Sequence, residues 1–475
     1  MSLTRKVAIN TIIQSIGRIF SVAIGLATIA FITRYLGRIG FGQYSIVIAW
    51  AGFFSILADL GLYLVVTNEV SKKDAPVGSI MSNAFTLRVL TSFLIMGLAP
   101  VIALIMPYPA IVKQGILIGA ISFFFLSLRY VLGGLFQKFL HTEKIALAEV
   151  LGKGVSLGLV VLAIFLKLHL LYILGAAALG SLTQFLIAFL FAQKYVRIRL
   201  RFDFLIWQDL AKKAWPLAIS VIFTLIYFKF DTILLSIMKP AEDVGIYGAA
   251  YKILEVLIAF SAIFCVLVLP LLSRFKDSDP ERFKSIFQRS FDTLVTLACP
   301  LVIGVLFLAR PIMTFIGGAE FSISGIPLQI LIFAVAIIFV GNLFGHTIVA
   351  LDKQKKMMWV YIIGAFLSIV TNLIFIPSFS YIGASVTTVF VEIVVVTWGG
   401  IIIYKTIRFL PNLKILVKSI LCSLAMIPIL TIFSQVNFIV LIISSSILYF
   451  GMLYLVGGIK KEVLKELFIK GKLSN

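Results

Sequence analysis

Fourteen apolar runs of membrane-spanning length follow one another along the 475 residues, separated only by short charged or Pro/Gly-containing breaks. They occupy residues 7–35, 43–68, 79–106, 112–137, 145–167, 170–193, 213–238, 244–272, 290–316, 326–351, 357–377, 381–404, 413–434 and 437–457. An α-helix rises about 1.5 Å per residue, so about 20 apolar residues cross the hydrocarbon core of a bilayer. Inside that core the backbone must satisfy its own hydrogen bonds, which restricts long apolar runs of this kind to helices. The composition agrees, at 61% hydrophobic and 13% charged residues, far from an ordinary soluble domain. The expected fold is an all-α integral membrane protein with fourteen transmembrane helices. The first run follows basic residues as a signal peptide would, but it is too long and no small-residue cleavage site closes it. It is read as a retained first helix.

The net charge of +21 raises the question of nucleic acid, yet the 41 Lys and Arg are scattered between apolar runs and build no contiguous basic face. Their placement follows the membrane instead, because Lys and Arg accumulate in cytoplasmic loops. With the N-terminus inside, 29 fall in cytoplasmic segments and six in outside loops, namely Arg34, Arg38, Lys113, Lys167, Lys239 and Arg310. The remaining six, Arg18, Arg88, Arg129, Lys153, Lys229 and Lys252, fall within helices. One helix too many or too few would scramble the alternation from that point on. Both termini are therefore expected in the cytoplasm, with the chain multi-pass in the cytoplasmic (inner) cell membrane. Cys265, Cys299 and Cys422 lie inside apolar runs without ligand-like spacing, and His141, His169 and His346 are equally dispersed. Neither a disulfide framework nor a metal or cofactor site is expected.

The longest polar link, residues 194–213, divides the chain into halves that echo each other. Gly42-Gln43-Tyr44 opens span 2 much as Gly245-Ile246-Tyr247 opens span 8, an offset of 203 residues that pairs spans 1–6 with spans 7–12. Repeats in the same orientation are a standard transporter plan, with the substrate site between the halves. The expected organisation is an N-lobe over 1–200, a C-lobe over 201–411, and two extra helices with a basic cytoplasmic tail over 412–475. The residues Arg34-Tyr35-Leu36-Gly37, Gly42-Gln43-Tyr44, Asp59-Leu60-Gly61-Leu62, Val244-Gly245-Ile246-Tyr247, Ala250-Tyr251-Lys252 and Glu255 together resemble the Wzx-type polysaccharide-biosynthesis flippases. These form a branch of the multidrug/oligosaccharidyl-lipid/polysaccharide exporter superfamily. The resemblance implies a V-shaped pair of six-helix lobes around a cationic cavity. It implies alternating-access movement of a polyprenyl-diphosphate-linked oligosaccharide from the cytoplasmic to the outer leaflet. The partners it implies are that lipid-linked oligosaccharide, membrane lipids and the polysaccharide polymerase machinery.

An ionisable group inside a span is costly enough to count as a functional-site candidate. Arg18 lies about 16 Å from the inner end of span 1, and Asp59 comes to nearly the same depth on span 2, so the two are placed to pair. Gln14, Arg18, Ser21, Gly25 and Thr28 recur at steps of four and three, which gives span 1 one polar, small face. Arg88, Arg129 and Lys153 fall in the same layer as Arg18, with Glu149 one turn from Lys153. Four cations then face two acids, and a diphosphate would supply the missing charge, for which the planar arginine fork is well suited. Against this stand static helix locking by Arg18 and Asp59 and snorkelling of the others to the interface. In the C-lobe, Asp231, Lys252 and Glu255, with Lys229, form a nearly neutral set, read as gate or ion-coupling machinery. A buried carboxylate there could carry a proton or sodium ion, and the sequence does not separate that from static pairing. Glu392 carries the same ambiguity.

An enzyme is not expected, since no nucleophile elbow, metal-ligand cluster or phosphate-cradling glycine loop appears and every extramembrane segment is short. Within the same superfamily, a multidrug or cation exporter would call for carboxylates dominating the cavity. A lipid II flippase is the nearer alternative, because it too handles a polyprenyl diphosphate.

Overall fold

The computed structural model describes residues 3–458. The basic segment from residue 459 onward and the side chains of Arg5, Lys6, Gln14 and Ser220 lie outside the described residues. The described chain is helical almost throughout: α1 (Leu3–Asp59), α2 (Leu62–Ser71), α3 (Val77–Ile105), α4 (Ala110–Lys138), α5 (Glu143–Phe165), α6 (Leu170–Gln193), α7 (Phe204–Met238), α8 (Ala241–Phe275) and α9 (Pro280–Gly317). A 3-10 turn (Ala319–Ser324) leads to α10 (Gly325–Ala350), α11 (Gln354–Ile407), α12 (Lys414–Leu424), α13 (Ile427–Ile432) and α14 (Phe438–Leu455). Twelve helices among the described residues are long and apolar enough to cross a membrane. Large apolar side chains such as Phe93, Phe165 and Leu455 stand exposed on their outer faces, as the acyl chains of a bilayer require.

Two of these helices are far longer than a bilayer is thick. A straight 57-residue α1 would run about 85 Å, but Gly37 interrupts it at φ 64°, ψ −175°, a conformation open to glycine. Before Gly37, Gly17 packs on Ala146 and the Tyr35 hydroxyl donates to Leu168 O (2.9 Å), so this part runs alongside α5 in the same sense. After Gly37, Val47 packs on Gly115 and Gly119, and beyond it Thr67 of α2 on Gly134, so that part of α1, continued by α2, runs alongside α4 in the same sense. Since α4 and α5 are joined by the short turn at 139–142, the two parts of α1 run in opposite directions. The short link expected between the runs 7–35 and 43–68 thus shrinks to one non-helical residue. In the same way α11 breaks only at Ser380 (φ 48°, ψ −130°), and Gly383 closes on the Phe375 backbone just beyond it.

Other boundaries shift for local reasons. The run over 43–68 is broken at Leu60 (φ 45°) and Gly61 (φ 76°). The run over 413–434 is broken at Ala425 and Met426, because Pro428 has no N–H with which to continue the helical ladder. α7 begins earlier than expected, at Phe204, where the Asp203 carboxylate caps it by accepting from Leu205 N (3.1 Å) and Ile206 N (3.3 Å).

The chain forms two compact units. The first holds everything up to Gly248 together with Ile316–Gly318 and Ala365–Ala384, and the second holds the rest. In the first unit, helix contacts rest on small residues that let backbones approach, as is usual where lipid removes the hydrophobic drive between helices. Gly152 packs on the Gly180 carbonyl and Gly180 on that of Gly152. In the second unit, Gly341 packs on Val396, Gly400 on Phe344, and the Tyr449 hydroxyl donates to Thr296 O (2.8 Å).

The two echoing motifs meet inside the first unit. A Cβ on Gly42 would stand 1.7 Å from Ala241 O, and one on Gly245 would stand 2.2 Å from Arg38 O. Exchanging each residue for its counterpart 203 positions away turns the first contact into the second, the signature of a local two-fold crossing. Arg38 adds an ion pair to Glu242 (2.8 Å) at the same crossing. Gly42→Ala is expected to cost about 2 kcal/mol or more, since backbone rather than a mobile side chain must yield. Gly25→Ala, where nothing lies within 4 Å, is expected to be neutral or slightly stabilising. Thermal unfolding of the two variants in detergent checks the contrast.

Candidate functional site

The acid Glu149 on α5 gathers three partners. Ser21 of α1 donates its hydroxyl to Glu149 Oε1 (2.5 Å), and Lys153 Nζ stands 3.0 Å from the same oxygen. Lys153 also donates to Ser21 O (3.2 Å), so one turn of α5 is tied to α1 through both backbone and side chain. Glu149 and Lys153 meet because residues four apart share a helix face. From α4, Arg129 Nη1 approaches Glu149 Oε2 at 3.7 Å, a long contact for a charge-assisted pair. Arg129 is only 5% exposed, its guanidinium lies 4.8 Å from the Tyr130 ring centroid, and its Nε has no hydrogen-bond partner. Two cations therefore share one carboxylate, and the more deeply buried of them has donor capacity to spare. An oxyanion with several acceptor atoms is the chemical group that would use it. Arg18 is exposed on α1, one turn before Ser21 and on the same face.

Arg88 occupies a different setting. At 1% exposure it bonds through Nη1 to Asp59 Oδ1 (2.8 Å) and to Ala58 O (2.8 Å), and through Nε to Ser127 O (3.3 Å). The reason lies in the break at Leu60 and Gly61, which ends α1 in the middle of the span and leaves its last carbonyls without helical donors. A cation at a helix C-terminus satisfies those carbonyls and complements the dipole. A hydroxyl pair, Ser92 with Ser127 (2.6 Å), closes the contact from the far side. The expected pairing of Asp59 with Arg18 is thus replaced: Asp59 pairs with Arg88. Depth counting placed both arginines near Asp59, and the break at Leu60 and Gly61 decides which of them it meets.

The remaining candidates form two groups. Asp231 is 2% exposed and fully engaged, accepting from the Tyr247 hydroxyl, from Thr232 N (2.5 Å) and from Thr232 Oγ1 (3.2 Å). Tyr247, itself inaccessible, belongs to the Gly245-Ile246-Tyr247 motif, and its role as a carboxylate partner was not visible in the sequence. In the second unit Lys252 pairs with Glu255 (2.8 Å) one turn along α8, both partly exposed. Ser21 is the other residue missed as a site member. It stands on the polar face of span 1, but its partner lies 128 residues away.

A bundle of long apolar helices makes this a multi-pass membrane protein, and solved membrane transport proteins share its fold. The Lipid II flippase MurJ in an inward closed conformation aligns with a TM-score of 0.77 at 16% identity, covering 94% of this chain and 98% of that one. A multidrug resistance MATE family transporter of the MOP superfamily, inward-facing, aligns at 0.67 and 14% identity, covering 84% and 99%. The polysaccharide biosynthesis protein family matches residues 3–276, more than half of the chain, and the chain belongs to that family. The MatE family matches residues 216–374. Two relatives come from Haloferax volcanii. The probable low-salt glycan biosynthesis flippase Agl15 is 25% identical over 163 residues, 34% of either chain. The probable flippase AglR is 25% identical over 190 residues, 39% of this chain and 38% of its own. The matched stretch spans about a third of the length of these curated relatives.

Proposed function

We propose that the protein is a flippase that moves a polyprenyl-diphosphate-linked oligosaccharide from the cytoplasmic to the outer leaflet of the cell membrane, for synthesis of a surface polysaccharide. The observation that carries the reading is the cluster of Arg129, Lys153 and Glu149, in which a buried guanidinium is only loosely neutralised by a shared acid. In the resting protein Glu149 stands where the anion would stand. An arriving diphosphate takes over Arg129 and Lys153, with Arg18 reaching it from α1, and so releases Glu149 and its hold on Ser21. Arg88 contributes by fixing the break in the second span rather than by touching substrate. Asp59 belongs with it, while Asp231, Lys252 and Glu255 serve gating or coupling to a proton or sodium ion.

The chain crosses the membrane fourteen times in this reading, with both termini cytoplasmic, because the reversals at Gly37 and Ser380 divide α1 and α11 into two spans each. The N-lobe covers residues 1–200 and the C-lobe 201–411, with residues 412–475 outside the repeat, and the two-fold glycine crossing supports that offset. Names of two relatives as probable flippases, one of glycan biosynthesis, support the substrate class. Export of cationic drugs is the second reading, favoured by the MatE match over residues 216–374.

Binding of farnesyl diphosphate to the purified protein, with farnesol as the uncharged control, tests the site. Arg18→Ala is expected to weaken diphosphate binding about tenfold, the loss of one charge-assisted hydrogen bond, with thermal stability unchanged. Arg34→Ala is expected to have a milder effect, since Arg34 donates to Ile316 O (3.2 Å) away from the cluster. Equal binding of farnesol and farnesyl diphosphate would remove the case for a diphosphate site.

A further inference from the structure

After a turn at 194–196, residues 197–203 of the link between α6 and α7 are non-helical and held along α3, with every second backbone N–H turned toward it. Three of its backbone N–H groups donate to side chains of α3: Arg199 N to Ser82 Oγ (3.3 Å), Arg201 N to Thr86 Oγ1 (2.9 Å) and Asp203 N to Asn83 Oδ1 (2.9 Å). Those three acceptors are each 1% exposed, so α3 carries buried polar groups whose partner is the link itself. Gln193 adds a two-way bond, donating to Ile198 O (2.9 Å) and accepting from Ile198 N (3.1 Å). Ile198 is buried and anchors the segment in the core shared by α3 and α6.

An extended segment places alternate side chains on opposite faces, about 6.8 Å apart along one face. Arg197, Arg199 and Arg201 therefore form a row, and all three are exposed. They carry no ion pair among the described residues, and the nearby acids are committed elsewhere. Asp203 caps α7, and Asp209 pairs with Lys213 (2.5 Å). Leu200 and Phe202 on the opposite face, and Phe204 and Leu205 in the first turn of α7, are each at least 60% exposed. Four apolar side chains in water next to three unpaired arginines would be a poor surface, but at the edge of a bilayer the same pattern is favourable. The apolar groups enter the interface while the arginines stay at headgroup level.

We infer that residues 197–205 form a fixed basic strap that binds the phosphate headgroups of anionic phospholipids at the membrane face where α6 ends and α7 begins. On the charge bias this is the cytoplasmic face, where anionic lipids attract juxtamembrane Lys and Arg. The pinned backbone presents the three guanidinium groups already in register, which spares the ordering cost of a flexible basic loop. The strap needs no lipid-linked sugar, so it stands or falls separately from the transported substrate.

The full-length protein is reconstituted in phosphatidylcholine vesicles with or without an equal part of phosphatidylglycerol, and the lipid retained after detergent extraction is identified by native mass spectrometry. Wild type is expected to retain phosphatidylglycerol over phosphatidylcholine. Single Arg→Gln changes at 197, 199 or 201 are expected to weaken retention about fivefold each, and R197Q/R199Q/R201Q on the order of a hundredfold. The triple Arg→Lys variant keeps the charge and is expected to keep most of the retention, and R274Q/R282Q, at the exposed facing ends of α8 and α9, is expected to behave as wild type. Equal retention of both lipids, full retention by the triple Gln variant, or displacement of the lipid by inorganic phosphate alone would each overturn the assignment. Unchanged thermal unfolding of the exposed triple variant separates lost binding from lost folding.

Discussion

Arg88→Ala is expected to destabilise the folded protein by about 3–5 kcal/mol, the cost of removing one member of a buried ion pair and leaving the other without its partner. Three acceptors depend on this one side chain: the Asp59 carboxylate, Ala58 O and Ser127 O. Ala58 O matters most for the fold, because the break at Leu60 and Gly61 has already taken away its helical donor. In a bilayer no water stands by to replace the arginine, and each unsatisfied group costs several kcal/mol. Arg88→Met with Asp59→Leu is expected to recover much of the loss, since an apolar pair of similar volume is often as stable as the ion pair it replaces. Thermal unfolding followed by size-exclusion chromatography gives the comparison. A stable, monodisperse Arg88→Ala protein that had lost only diphosphate binding would instead make Arg88 a substrate ligand.

Changing the shared acid is expected to act in the opposite direction on binding. Glu149→Gln removes the charge that neutralises Arg129 and Lys153 while keeping an oxygen for the Ser21 hydroxyl. Farnesyl diphosphate affinity is expected to rise about tenfold, because a charge-assisted contact worth about 1.5 kcal/mol no longer has to be exchanged. Transport is expected to fall, since the step that returns the cations to Glu149 and frees the substrate is lost. Arg129→Gln is expected to weaken binding about tenfold or more, and Lys153→Gln less, because Lys153 is about one-third exposed and solvent screens it. Titration of the three purified variants with farnesyl diphosphate measures both signs. A Glu149→Gln variant with weaker binding would show that Glu149 shapes the site rather than competing for it.

The spans were legible because the thickness of a bilayer imposes a length on every crossing, and the marker glycines were legible because only Gly permits the backbone approach seen between Gly42 and Ala241. What the sequence withheld was azimuth and neighbourhood. Depth counting put Arg18, Arg88 and Asp59 at similar levels, but the left-handed pair Leu60 and Gly61 decided that Asp59 would meet Arg88. The Leu60-Gly61 pair itself was a visible signal, since a Gly just past a helical run marks a helix end. The polar face of span 1 was readable at steps of three and four, yet nothing local says that Ser21 on that face meets Glu149. The course of residues 197–203 along α3 was hidden for the same reason, as its acceptors Ser82, Asn83 and Thr86 lie more than a hundred residues away.

The central claim is transport of a polyprenyl-diphosphate-linked sugar, and movement of such a lipid across reconstituted vesicles tests it most directly. The lipid-linked oligosaccharide is placed in one leaflet, and its appearance in the other is read by accessibility to a membrane-impermeant glycosidase or periodate. Wild type is expected to equilibrate the lipid between leaflets, Arg129→Gln to fail, and a cationic dye to be left untransported. Export of the dye by wild-type protein, with the lipid-linked oligosaccharide remaining in its original leaflet, would contradict the account.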